Sequence, residues 1–448
     1  MELKRKSSTE IKSWLADSNK ALLVKGARQV GKTHLIRSVL EEAGSDYLEI
    51  NLIETPEAVS VLEQAETTED LILGLSAISD KRLKKGESII FIDEVQRYKN
   101  MVTKIKFLTE EGSFRYIMSG SLLGVELTGL ESAPVGYLHI MEMFPLDFEE
   151  FLQITNITDE IKGSLKECFT KRKPVMDVIN HKMSDLFLRY LVVGGMPDAV
   201  VAFAQTNNLN DVLTIHRDIK TTYKLDFTQY EEEDKKLLIS NAYDIMPSEL
   251  LKQNKRFYIS DLKQGKRFDR IQSTFLWLEN AGVAIPVYNS SEPKLPLKLS
   301  KKQSLFKLYL SDVGMLTSEY GMSTKRMLLT KDKTLNAGGI FENAVAQTLY
   351  SNGYDMYYYN SNRIGELDFV IEHNGKALPI EVKSGKKYAV HSALDKCMSN
   401  PDYEIEEAIV FADCNISVDG NVIYMPVYMS MFLEEDTGGN FVVEKIEF

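Results

Sequence analysis

The sequence predicts an α/β protein of three successive units: a mostly parallel sheet with helices on both faces, a helical middle closing in a winged-helix module, and a second α/β unit. Three observations predict it. Short apolar strands alternate with helix-period stretches up to about Leu152. Residues 153 to about 240 keep helical spacing with little strand signal. From about Leu308 a helix leads into strands joined by a hairpin signal. The division is 1–152, 153–307 and 308–448, because 448 residues exceed what one hydrophobic core usually organises.

In the first unit the strands are 21–25 (ALLVK), 47–52 (YLEINL), 88–93 (SIIFID), 115–119 (RYIMS) and 137–141 (YLHIM). After the first comes KTHLIRSVLEEAG, where Leu35, Ile36, Val39 and Leu40 recur at helix spacing and Gly44 is a sensible stop. Strands separated by helices favour parallel pairing. In the middle, Gly194, Gly195 and Pro197 punctuate DLFLRYLVVGGMPDAVVAF and mark a tight turn between helices. A short segment at Phe257, a helix over 269–280 and a strand over 283–288 then make the winged-helix reading. The last unit opens with helical GGIFENAVAQTLYSNG. Its strands GELDFVIE and KALPIEVKS flank the hairpin signal His373-Asn374-Gly375-Lys376, and EEAIVFA and GNVIYMPVYM read as later strands.

Composition narrows the class. The chain is 44% hydrophobic and 26% charged, and its three cysteines, Cys168, Cys397 and Cys414, cannot make a disulfide framework. No early apolar run of about 18 residues appears, and the N-terminus lacks a signal-peptide core. A secreted mini-domain, a fibrous protein and an integral membrane protein are thereby excluded, and a cytoplasmic location is expected. The net charge of −12 is uneven: residues 251–307 hold 12 Lys and Arg against 4 Asp and Glu, whereas 361–448 hold 7 against 16. The basic middle segment is a candidate DNA or RNA footprint, since phosphate binding rewards a local positive field. A solvated basic face, or one docked on the acidic C-terminal unit, is the competing explanation.

The chemistry is concentrated in Gly26-Ala27-Arg28-Gln29-Val30-Gly31-Lys32-Thr33, a glycine, four residues, then Gly-Lys-Thr between a strand and a helix. Glycines let the backbone N–H groups wrap a phosphate, and the helix N-terminus adds positive partial charge. Lys32 is expected to neutralise the β and γ oxygens of ATP, and Thr33 to offer its hydroxyl to Mg²⁺. His34 follows at the rim. About sixty residues on, IIFIDE ends a strand in Asp93 and Glu94. Asp93 is expected to assist the metal, and Glu94 to polarise the attacking water. Together these define a P-loop NTPase sheet unit binding ATP and Mg²⁺. Ser119 either contacts the γ-phosphate or its water, or simply ends a core strand. Arg97 and Arg115 are candidate phosphate sensors or trans-acting fingers, with surface ion pairing as the alternative. No histidine or cysteine spacing suggests zinc.

With ARQVGKT, IIFIDEVQR and YIMSGSLLG, the chain resembles prokaryotic AAA-type ATPases of the AAA_14 class. GGMPDAV, HRDI, FLWLENAG, KLYLSDVGML and GGIFENAVAQTL resemble the companion region called DUF4143. The resemblance implies an AAA-like ATPase core, a helical and winged-helix middle and a nuclease-like C-terminal unit. Relatives often carry Gly-Arg where this chain reads Val135-Gly136-Tyr137-Leu138; if that arginine is a finger, it is missing here. In the last unit, Asp368 on one strand and Glu381 and Lys383 on the next form a D…ExK pattern. It resembles the core of restriction-endonuclease-like enzymes, and Glu342 in the FEN helix fits that family's additional acid. In that reading Asp368 and Glu381 hold Mg²⁺ and Lys383 orients water or stabilises charge at a phosphodiester. The expected activity is ATP hydrolysis to ADP and phosphate, coupled to nucleic-acid binding or processing. The alternative is a nucleotide-dependent switch or protein-interaction adaptor with little turnover and an inactive nuclease-like unit.

Overall fold

The computed structural model describes residues 3–65, 67–78, 83–98, 100–121, 136–229, 233–252, 255, 268–385 and 388–435. The first sheet contains β1 (Ala21–Lys25), β2 (Tyr47–Asn51), β3 (Ile89–Asp93), β4 (Arg115–Gly120) and β5 (Leu138–Glu142) in the order β2-β3-β4-β1-β5, all parallel. Strands buried on both faces read as continuous apolar runs, which is why β1, β3 and β4 were legible. One face packs Leu22, Val24, Phe91 and Ile117 against α1 (Ser8–Asp17) and α2 (Lys32–Glu42). The other packs Leu23, Ile90, Ile92 and Met118 against α3 (Pro56–Gln64), α4 (Thr68–Ala77) and α5 (Met101–Glu111).

The middle is helical: α6 (Asp159–Lys171), α7 (Asp177–Val193), α8 (Pro197–Thr206), α9 (Leu209–Gln229), α10 (Glu233–Leu251) and α11 (Phe268–Asn280). The segment expected at Phe257, with four of the twelve basic residues of the 251–307 run, lies outside the described residues. Beyond it come β6 (Ala284–Ser290), β7 (Lys301–Leu310), α12 (Val313–Glu319), α13 (Gly321–Leu329), α14 (Gly338–Ser351), β8 (Tyr357–Ser361), β9 (Gly365–His373) and β10 (Lys376–Lys383). The chain continues through α15 (Ser392–Met398), β11 (Ala408–Ala412), β12 (Ser417–Asp419) and β13 (Val422–Pro426). The second sheet runs β12-β13-β11-β10-β9-β8-β6-β7. Within it α14, β8, β9, β10, α15 and β11 follow in sequence, β9 and β10 pair antiparallel, and β10 and β11 pair parallel. Asn374 and Gly375 take positive φ angles of 51° and 70°, as a two-residue hairpin turn requires.

The boundary after residue 307 needs correction. It falls inside β7, and the β6–β7 hairpin, read from sequence as part of the winged-helix middle, joins the second sheet through β6 and β8. A strand's local pattern is the same whichever sheet it joins, so only the long-range pairing could reveal this.

A buried polar knot ties the units together. Gly195 N–H donates to Asp312 Oδ2 at 2.6 Å, and Leu146 N–H donates to the Gly195 carbonyl at 2.7 Å. The Tyr190 hydroxyl donates to the Leu146 carbonyl at 3.0 Å, and the Gln347 amide donates back to that hydroxyl at 2.9 Å. The Gly-Gly-Met-Pro and Ser-Asp-Val-Gly strings are thus explained by backbone docking.

Candidate active site

The loop from Gly26 to Thr33 links β1 to α2, and its shape is fixed by close approach. Gly26 has φ +148°, and a Cβ there would stand 2.2 Å from the Met143 carbonyl oxygen, so only glycine fits. Lys32 turns back on the loop, donating to the carbonyls of Gly26 at 3.0 Å and Ala27 at 2.8 Å. Burial pulls its ammonium pKa down to about 8 against the opposing pull of Glu94 and Asp93. Arg28 and Gln29 reach the surface, Val30 is a core residue, Gly31 precedes the helix and His34 is exposed at the rim.

Thr33 meets the acid strand. The Thr33 hydroxyl donates to Asp93 Oδ2 at 2.9 Å, across the sheet from loop to β3. Arg28, Gln29, Gly31, Lys32, Thr33, His34, Glu94 and Ser121 line one cavity of about 490 Å³. A more open cleft of about 720 Å³, walled by Lys182, Asp185, Arg189 and Phe203, holds none of these residues. Glu94 sits at φ +55° just past the strand end, and the Gln96 amide donates to its carboxylate. A hydroxyl beside a carboxylate is the hard oxygen pair that Mg²⁺ accepts, so Thr33 and Asp93 fit that ion.

Other expectations change. Ser119 is fully buried and donates to Asp93 Oδ1, so it orients the acid and does not face the cavity; Ser121 does. Arg115 is consumed by structure: it lies 4.2 Å over the Trp14 ring and donates to the carbonyls of Trp14 at 2.6 Å and Leu15 at 3.0 Å. Arg97 is exposed and acts on the charge of Asp226. Of the stretch Val135-Gly136-Tyr137-Leu138, Val135 lies outside the described residues, and the Tyr137 hydroxyl donates to Glu110.

Several contributors were invisible in the sequence. Arg5 donates to the Val30 carbonyl at 2.9 Å and the Phe144 carbonyl at 2.6 Å while paired to Glu150 at 3.1 Å. Tyr223 donates to the Arg28 carbonyl at 3.2 Å, and Asn51 reaches Asp93 at 3.4 Å. All are far from the loop in sequence, so no local pattern marks them.

In the second sheet, the β9–β10 register sets Ile380 against Phe369 and so brings Asp368 opposite Glu381. Asp368 accepts the Val382 N–H at 3.0 Å, and Lys383 donates to Glu381 at 2.7 Å. Burial, with Asp368 nearby, pushes the Glu381 carboxyl up to about 8, while Lys383 opposes the shift. Glu342 is claimed by Lys255 and receives the Tyr309 hydroxyl at 3.3 Å; burial raises its pKa as well. Lys307, wholly buried, sits 2.8 Å from Glu366. Burial opposes its charge, but Glu342, Glu366 and Asp368 outweigh that and keep it protonated. The two lysines, Lys255 and Lys307, and Glu366 were not anticipated. Among the described residues, no three His, Cys, Asp or Glu side chains assemble for a metal.

A parallel sheet with a glycine-bracketed phosphate loop at the end of β1 and an acid pair two strands away, at the end of β3, defines an AAA-type ATPase. Family comparison agrees: residues 18–152 match the AAA_14 model, described as an AAA domain, and 337–429 match DUF4143, a domain of unknown function. The chain thus carries the AAA_14 and DUF4143 domains in combination, as an AAA-type ATPase. Residues 184–326 match a separate domain of unknown function, DUF8612, so GGMPDAV, HRDI, FLWLENAG and KLYLSDVGML belong there and not to DUF4143. No curated protein matches the chain. Similar solved structures include the Walker-type ATPase PABY2304 of Pyrococcus abyssi, at 16% identity and TM-score 0.42, covering 71% of this chain and 96% of that one. The RuvB Holliday junction branch migration motor of Thermotoga maritima follows at 13% identity and TM-score 0.30, covering 66% and 91%. Cdc6p from Pyrobaculum aerophilum is similar at 11% identity and TM-score 0.22, covering 73% and 93%.

Proposed function

We propose that the protein binds ATP with Mg²⁺ and hydrolyses it to ADP and phosphate by direct transfer of the γ-phosphoryl group to water. The observation that carries this reading is the convergence of Lys32, Thr33 and Glu94 on one cavity, with Asp93 bonded to Thr33 behind it. Lys32 leaves the loop carbonyls to meet the phosphate oxygens, and Glu94 takes the proton of the attacking water. Ser119 and Asn51 hold the Asp93 carboxylate in place. Thr33 and Asp93 would hold the magnesium ion, which supplies charge neutralisation at the phosphates.

Turnover of radiolabelled ATP tests the assignment. K32A is expected to lose nucleotide binding, and E94Q to keep binding but lose hydrolysis by roughly a hundredfold or more. Wild-type turnover in K32A would refute the site, and wild-type turnover in E94Q would refute the base.

Nucleic-acid cleavage by Asp368, Glu381 and Lys383 is the second reading, favoured by the cross-strand pairing of the two acids. Against it stand Lys255 and Lys307, which already pair with Glu342 and Glu366. The reading that fits these pairs better is an ATPase whose C-terminal unit serves as a docking or switching module.

A further inference from the structure

We propose that α9 is the nucleotide-sensing element of this chain and that Asp226 is its positioning residue, acting on the nucleotide site through Arg28. The inference rests on the ATP reading and adds a regulation to it. Arg28, in the phosphate loop, lines the same cavity as Lys32, Thr33 and Glu94. Its guanidinium nevertheless lies 2.6 Å from Asp226 Oδ1, on a helix outside the sheet unit. The Asp226 side chain is only 6% exposed, whereas that of Arg28 is 38% exposed.

The loop backbone around this pair is fixed. Tyr223, also on α9, donates to the Arg28 carbonyl at 3.2 Å. On the other side, a Cβ at Gly282, in the turn after α11, would stand 2.9 Å from the Ala27 nitrogen. The backbone is therefore pinned while the half-exposed guanidinium can turn. A triphosphate entering the cavity attracts that guanidinium, and taking it removes the close ion pair of a buried carboxylate, leaving only the weaker pull of Arg97 and Lys32, which is unfavourable. A shift of α9 restores the solvation of Asp226.

The next turns of α9 carry that displacement outward. Lys220 is 3.1 Å from Asp244 on α10 and 2.6 Å from Glu319 on α12, and Lys224 is 2.6 Å from Asp244. Nucleotide occupancy and the placement of the helical middle thus bias each other, and by linkage anything that holds α9 in place also weakens nucleotide binding.

The test uses the full chain and a non-hydrolysable ATP analogue with Mg²⁺, titrated by calorimetry, with K32A as the blank and hydrogen exchange followed across α9. D226N is expected to bind the analogue at least about fivefold tighter, since no buried charge is left stranded. In an R28A background the same substitution is expected to change affinity by less than about twofold, because the two residues act as one pair. The analogue should raise amide exchange in α9 of the wild type and leave it unchanged in D226N. Should D226N fail to fold, Arg28→Gln, on the exposed side of the pair, is expected to abolish the same exchange response. Unchanged or weaker binding by D226N, an equal effect without Arg28, or a persisting exchange response would overturn the proposal while leaving the ATP site intact. A wild type that ignores the analogue would instead remove the ATP reading beneath it.

Discussion

Arg115 and Arg28 carry the same charge, and their surroundings divide their tasks. Arg115 spends its donors on the backbone of α1 and its face on Trp14, so it braces the first helix against β4. R115A is expected to destabilise the fold by about 1–3 kcal/mol from the lost hydrogen bonds and ring contact. Nucleotide affinity should stay within about twofold of the wild type; urea unfolding and an ATP titration read the two effects separately, and a large loss of affinity would contradict the structural role. The loop and the acid strand were legible because each motif is contiguous and sits where strand meets helix. Arg5, Tyr223, Asp226 and Ser121 were not, since what recruits them is proximity across the fold and not spacing along the chain. For Ser119 the sequence left two readings, phosphate contact or the end of a core strand, and the buried hydroxyl turned to Asp93 fits the second.

Among the elements, α13 presents the clearest titration. Lys325 is fully buried and donates to the carbonyl of Val192, to the Thr317 hydroxyl at 3.1 Å and to the Gly314 carbonyl at 3.4 Å. Burial draws its ammonium down to about 7, with Asp312 opposing the shift. The folded pKa lies below the unfolded one, so the unfolded chain holds a proton that the folded chain lacks between about pH 7 and pH 10. Stability from this group therefore rises with pH in that window. Relative to K325M, the unfolding free energy of the wild type should climb by up to ~1.4 kcal/mol per pH unit there. A pH-independent difference in paired denaturant titrations would show the lysine to be charged throughout. Strands with buried apolar runs announced themselves in the sequence, but the partner of the β6–β7 hairpin did not, since its closing contacts span the gap to β8.

At the scale of the whole molecule, one buried cluster includes Leu22 of β1, Tyr190 of α7 and Phe369 of β9, so the three units share a core. The charge division also becomes intelligible. The acidic C-terminal unit receives Lys307 from β7 and Lys255 from beyond α10, and these settle on Glu366 and Glu342. With those acids neutralised from within and a surrounding stretch of 7 basic against 16 acidic residues, DNA and RNA are expected to remain uncut in the presence of Mg²⁺. Nicking that vanishes in D368A or K383A would reverse that expectation. The D…ExK pattern was readable because it is short and hairpin-linked, whereas Lys255 and Lys307, which pair with Glu342 and Glu366 beside it, arrive from remote segments. No helix among the described residues is long and apolar enough to cross a membrane.

Arg5 carries a practical consequence. Because its guanidinium clasps the Val30 carbonyl from a position near the start of the chain, a trimmed version beginning just before the first helix would keep every letter of the nucleotide signature. It would still lose the strut that shapes it.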